Sequence, residues 1–157
     1  MKHQLLLSLA LLTAPVLANS EPVDEPVNIV YEAGDSYEFV VENVKNAIIN
    51  RGLLVSEVLH IADMLDRTGE DLGFTETVYL QAESIEFCSA QMTYRMTLAD
   101  PGNIAICPFN VAVYVLADQP EQVYVAFRRP QLAGDDAEIA AEAFELVDGI
   151  AREASEW

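Results

Sequence analysis

Cys88 and Cys107 are the only cysteines of the sequence, and their thiols offer its clearest chemistry. In an oxidising compartment the two would form a structural disulfide, which stabilises a fold by about 3 kcal/mol in the chain-entropy account. A reactive pair would instead make the chain a thiol-redox or sulfur-handling protein. No Cys-x-x-Cys motif decides between these alternatives, so both remain open from the residues alone.

Methionine and histidine side chains could act with the two cysteines as ligands for a soft metal. Cys88, Met92 and Met96 are spaced four residues apart, which places them along one face if the helix includes Cys88. His60 and Met64 repeat that spacing on another predicted helix. Thiolate, thioether and imidazole groups are ligands for Cu(I) or haem iron. The spacing predicts a pocket that binds copper or haem through His60 and Cys88, although methionine at helical spacing also suits core filling.

Arg128 and Arg129 are two of only 8 basic residues. They follow one another at the end of a predicted strand, where alternation directs neighbouring side chains to opposite faces. One of them is therefore a candidate contact for a carboxylate or another anion. The other is expected to pair with the acidic surface.

The charge balance excludes several kinds of partner. The 157 residues include 26 acidic ones, giving a net charge of −18 and a pI near 4.1. Nucleic acid and anionic membranes need clustered lysine and arginine, so neither is expected, whereas a basic protein partner is. Isolated glycines and the lack of a Gly-x-Ser-x-Gly motif leave no signature of an enzyme.

The N-terminus has the pattern of a secretory signal peptide. Met1-Lys2-His3 is a short basic region, and the apolar run that follows is too short to span a bilayer. Cleavage is expected after Ala18, with Ser20 as the second choice. Residues 19–27 then form a flexible acidic lead-in. We expect a periplasmic or secreted protein, free of the membrane once the signal is removed.

Hydrophobic periodicity predicts one α+β domain over residues 28–157, in the order β-α-β-α-β-α-β-β-α. We expect strands at 28–31, 53–59, 77–87, 104–116 and 122–129, and helices that start near Asp35, His60, Ser89 and Asp135. Asp35 and Ser89 are candidate N-caps, and Ile61, Met64 and Leu65 form the apolar side of the second helix. The strand at 104–116 is expected to be covered on both faces over part of its length, and the last strand to point Val123, Val125 and Phe127 inward. A change of parity near Glu83 indicates a bulge in the third strand. An antiparallel sheet with helices packed on one face is the natural layering of these elements.

Two segments, Phe87-Cys88-Ser89-Ala90 and Ile106-Cys107-Pro108-Phe109-Asn110-Val111, resemble the domain-of-unknown-function DUF302 family. The segment 60–69 and the stretch 124–130 are similar to its exported branch. The resemblance implies a TATA-binding-protein-like α+β fold and a homodimer, with no established activity. Because cytoplasmic relatives carry a cysteine at the Cys88 position, it also implies that the fold does not require a disulfide.

These observations favour an exported, non-enzymatic binding module. Its ligand would be a soft metal, haem or a protein partner, bound where His60, Cys88 and Cys107 converge. The first alternative is a thiol-redox protein that uses the two cysteines. The second is a structural dimer in which they form an inert disulfide.

Overall fold

The computed structural model describes residues 26–157, so the predicted signal peptide and most of the acidic lead-in lie outside the described residues. Its strands are β1 (Asn28–Ala33), β2 (Leu54–His60), β3 (Tyr79–Cys88), β4 (Phe109–Leu116) and β5 (Val123–Arg128). Its α-helices are α1 (Tyr37–Asn50), α2 (Ile61–Gly69), α3 (Ala90–Ala99) and α4 (Ala137–Ser155), with short 3₁₀ helices at Glu70–Leu72 and Pro101–Ile106. The predicted α+β class and order of elements are confirmed.

The five strands form one antiparallel sheet in the order β1-β5-β4-β3-β2. Helices α1 and α4 pack against each other and against one face of this sheet. Alternate residues of β4 and β5 point into that layer, and Val111, Val113 and Val125 are fully buried there. The core therefore lies between the sheet and the two long helices.

The other face of the sheet, called the open face here, is turned away from α1 and α4. Strand pairing places the following residues on it: Asn28, Val30, Glu32, Leu54, Glu57, Leu59, Ala82, Ser84, Glu86, Asn110, Ala112, Tyr114, Tyr124, Ala126 and Arg128. The strand at 104–116 was expected to be covered on both faces along part of its length. In the structure the long helices cover only one of them.

Local signals account for the helix ends. The Ser89 hydroxyl accepts a hydrogen bond from the Met92 amide at 3.2 Å, which confirms the predicted N-cap of α3. Gly52, just after α1, has φ of +73°, the left-handed conformation expected of a glycine that ends a helix. The prediction that Asp35 caps α1 is wrong, because Ser36 occupies the N-cap position.

Two strand predictions need correction. β4 begins at Phe109 rather than at residue 104, because Pro101–Ile106 forms a 3₁₀ helix. The buried Asn103 amide fixes that helix by donating to the carbonyls of Met96 and Ala133 at 3.0 and 3.1 Å. The register of β3 shifts between Tyr79 and Gln81, whereas the bulge was predicted near Glu83.

One carboxylate lies inside the helix layer. Asp148 on α4 is buried and accepts a hydrogen bond of 2.5 Å from the Tyr31 hydroxyl on β1. Its second oxygen accepts from Arg152 one turn later on the same helix. Burial, followed by the hydrogen bond to Asp148, raises the pKa of Tyr31. The hydrogen bond from Tyr31 to Asp148 therefore joins the edge strand β1 to α4.

Candidate functional site

The structure joins Cys88, the last residue of β3, to Cys107, which follows the 3₁₀ helix Pro101–Ile106. The Cα atoms lie 5.8 Å apart, within the usual range for a disulfide. The two cysteines are 19 positions apart in the sequence, and the segment between them contains α3. The bond thus holds the connection between β3 and β4 against the sheet, and neither sulfur is free to act as a thiolate ligand.

The predicted convergence of His60 with the cysteines is wrong. In the β2–β3 pair, His60 lies opposite Glu83 while Leu54 lies opposite Cys88. Glu83 and Cys88 are five positions apart on β3, which separates the two ends by about 17 Å. The His60 ring is 60% exposed and its Nδ1 is 3.1 Å from the Glu83 carboxylate. Antiparallel pairing therefore sends the imidazole and the sulfurs to opposite ends of the sheet.

The methionines do not gather around the sulfurs either. Cys88 ends a strand and α3 starts at Ala90, so the predicted helical face shared with Met92 and Met96 does not form. Those two methionines are buried in the hydrophobic core, whereas Met64 on α2 is 43% exposed. Within residues 26–157, no group of three or more histidine, cysteine, aspartate or glutamate side chains is placed to hold a metal ion.

The two arginines at the end of β5 point to different sides of the sheet. Arg128 is exposed on the open face, opposite Asn28. The Arg129 guanidinium lies over the Phe144 ring of α4, 4.0 Å from its centroid. Both side chains border a cavity of about 320 Å³ together with Asn110 and Pro108. That either arginine contacts an anion stays a prediction.

The centre of the open face is a row of small and apolar residues that crosses all five strands. In sheet order the row is Val30, Ala126, Ala112, Ser84 and Leu59, each opposite the next. None of these side chains carries a charge. In a chain with a net charge of −18, an uncharged row of this length is a distinct feature of the surface.

A row of tyrosines flanks the central row on one side. The rings of Tyr114 and Tyr124 stack with centroids 5.2 Å apart, and Tyr79 meets Tyr114 edge-on at 5.5 Å. Burial, with smaller contributions from Tyr79 and Tyr124, raises the pKa of Tyr114. Ala82 lies opposite Tyr114 on β3 and ends this row.

A polar row flanks the central row on the other side. Asn28 lies opposite Arg128, and Glu86 lies between Asn110 and Glu57. Ala112 pairs with Ala126, so Asn110 and Arg128, two residues further along each strand, lie side by side. The polar row therefore has its positive charge on the β5 side and its negative charges on the β3 and β2 side.

The residues of these three rows were not singled out from the sequence as site residues, apart from Arg128. Their common signal is the alternation of β3, β4 and β5, in which the phase opposite the core is mostly alanine, serine and tyrosine, with Glu86 and Arg128 as its charged residues. A solvated sheet face usually carries charged side chains. The alternation therefore indicates a sheet face with few charged side chains.

Among residues 26–157, none of the helices has the length and apolar character needed to cross a membrane. The family model described as "Domain of unknown function DUF302" matches residues 29–154. A solved structure, the crystal structure of an uncharacterized conserved DUF302 protein from Bacillus stearothermophilus, superposes with a TM-score of 0.67. The chains are 14% identical over 82% of this chain and 98% of the other, a likeness that shows the fold alone. No curated protein matches the sequence.

Proposed function

The chain belongs to the DUF302 family, and we propose that this member is an exported, disulfide-stabilised module that works as a homodimer joined through its open face. Export is supported by the N-terminal sequence pattern and by the bond between Cys88 and Cys107, because disulfides persist in oxidising compartments. A role for that bond as a fixed cross-link agrees with its place at the junction of β3 and β4. The observation that carries the proposal is the uncharged central row of the open face.

The three rows are complementary to themselves under one symmetry operation. Two sheets that pack face to face keep their strands within about 30° of each other. A two-fold axis parallel to β4, the middle strand, exchanges β5 with β3 and β1 with β2. Ala112 then faces Ala112 of the second copy, and Ala126 faces Ser84 of the second copy. Small side chains thus meet small side chains at the centre, which permits close approach of the sheets.

The flanking rows also match under this operation. Arg128 comes to face Glu86 of the second copy, so each dimer has two such opposite-charge pairs. In the tyrosine row, the Tyr124 ring comes to face the small Ala82. The rotation about an axis across the strands would instead set the tyrosine row against the polar row. Charge complementarity therefore favours the axis parallel to β4 and fixes the register.

The open face is large enough for a stable dimer. Five strands about 4.8 Å apart and the 8 residues of β4 give a surface of roughly 600 Å² per copy. The two copies together would bury about 1,200 Å², which is the lower end of the range for specific interfaces. Ser84 is already buried in the single chain, so the apolar part of this area comes from Val30 and Leu59, which are 48% and 43% exposed, and from the half-buried rings of Tyr114 and Tyr124.

The test replaces the central alanine by a charged residue. Ala112→Arg puts two guanidinium groups face to face across the proposed axis, so we expect the dimer affinity to fall at least about a hundredfold. Ala141→Arg is the matched control, since Ala141 is exposed on α4, on the opposite side of the molecule. Sedimentation velocity over a range of concentrations measures the change, and thermal unfolding of both variants verifies the fold.

Two results would contradict the proposal. One is a wild-type chain that sediments as a monomer up to hundreds of micromolar. The other is an Ala112→Arg variant that dimerises as tightly as Ala141→Arg, which would place the interface elsewhere.

A further inference from the structure

Helix α2 has an apolar side that the rest of residues 26–157 leaves uncovered. Ile61, Met64 and Leu65 share that side, yet Ala62 is the one residue of the helix that is buried. Met64 and Leu65 are both more than 40% exposed, and neither belongs to the hydrophobic core. Amphipathic helices of a folded domain normally bury their apolar stripe. The stripe of α2 is therefore available to another molecule.

The segment after α2 extends this apolar surface. The chain reverses at Gly73, whose φ of +83° favours glycine, and the Phe74 amide returns to the Gly69 carbonyl at 2.8 Å. Leu72 and Phe74 are then 68% and 70% exposed. Together with α2 and the start of β3 they border a groove of about 820 Å³, called the α2 groove here. A groove of this volume is within the size range of ligand-binding clefts.

The rim of the α2 groove is acidic. The carboxylates of Asp66, Glu70 and Glu76 lie among its lining residues, and no lysine or arginine of the described part of the chain lines it. A second copy of this chain would bring the same negative charges, and an anionic lipid surface would be repelled. The lining therefore combines an apolar floor with a charge that selects a cationic ligand.

We propose that the α2 groove docks a basic segment with an apolar face, supplied by another protein. A helical segment with apolar anchors at i, i+3, i+4 and i+7 would lie along Leu65, Leu72 and Phe74. Its lysine or arginine side chains would meet the carboxylates of the rim. The central row of the open face does not line the α2 groove, whereas Tyr79, which meets Tyr114 in the tyrosine row, does.

The probe is a labelled 18-residue peptide of leucine and lysine arranged as an amphipathic helix, with a counterpart in which glutamate replaces lysine. Fluorescence anisotropy should show saturable binding of the lysine peptide at micromolar concentration, weakened by 0.5 M salt. The variant Leu72→Ser/Phe74→Ser should bind it at least tenfold more weakly. The control Leu98→Ser/Tyr94→Ser removes two side chains of α3 with closely similar exposure, 73% and 70%, and should bind as the wild type does.

Each other outcome overturns the proposal. Equal binding of the lysine and glutamate peptides would show that charge does not select the ligand. Unchanged affinity of the Leu72→Ser/Phe74→Ser variant would assign the binding to the overall negative charge of the chain. Dissociation of the dimer by that variant, measured by sedimentation, would show that a second copy occupies the groove. The first two results do not depend on whether the chain dimerises through the open face.

Discussion

Loss of the bond between Cys88 and Cys107 should destabilise the domain by an amount that the chain-entropy account predicts. The bond joins residues 19 positions apart, and a loop of that length corresponds to about 3 kcal/mol. In urea, with a slope of about 1–3 kcal/mol per molar, the unfolding midpoint should fall by about 1–3 M. The comparison is between the oxidised chain and the Cys88→Ala/Cys107→Ala variant, each unfolded with and without reductant.

The same comparison separates a structural cross-link from a redox pair. We expect the reductant to lower the midpoint of the wild-type chain to that of the variant and to leave the variant unchanged. The free energies of unfolding of the oxidised chain, the reduced chain and the variant could instead agree within about 0.5 kcal/mol. That result would show that the bond does not stabilise the fold. Two titratable thiols in the purified, untreated protein would show that Cys88 and Cys107 are not bonded.

Two further perturbations test the interior of the domain. Tyr31→Phe removes the donor to the buried Asp148 carboxylate and should cost about 1.5–3 kcal/mol in urea unfolding, because hydrogen bonds to charged groups are strong. Burial, and then the charge of Glu83, raise the pKa of Tyr37 in the folded state. The stability linked to Tyr37 is therefore complete below the unfolded tyrosine pKa near 10 and is lost above it, by up to about 1.4 kcal/mol per pH unit. Tyr37→Phe should reduce that alkaline slope, measured by urea unfolding from pH 8 to 11.

Exposed Tyr94 supplies the control for both tyrosine variants. Tyr94→Phe should change the stability by less than about 0.5 kcal/mol. A Tyr31→Phe variant as stable as this control would mean that Asp148 needs no partner from β1. An alkaline slope unaffected by Tyr37→Phe would mean that the loss of stability at high pH arises elsewhere.

Periodicity was sufficient to predict the layers of the fold. The inward positions Val123, Val125 and Phe127 follow from strict alternation, and all three are buried in the structure. Ser89 was predicted as a cap because its side chain can bond to the amide three residues on. These are local properties, and local properties are visible in a sequence.

Register and long-range placement were not predictable in the same way. His60 and Cys88 lie at opposite ends of the β2–β3 pair because Leu54, and not His60, is opposite Cys88. Nothing in the spacing of these residues determines which of them pair. The apolar side of α2 was recognised, but whether the domain covers Leu65 depends on the path of the chain after Gly69. Only the structure therefore shows which surfaces of the domain are uncovered.

A charge exchange across the proposed dimer axis, measured by sedimentation equilibrium, tests whether the chain forms a homodimer through its open face. We expect the wild-type chain to have twice the mass of one chain, and Arg128→Glu and Glu86→Arg each to dissociate, because each places like charges face to face. The variant Arg128→Glu/Glu86→Arg restores opposite charges and should recover the dimer. A wild-type monomer, or single variants that dimerise as the wild type does, would rule out the proposed dimer of the open face.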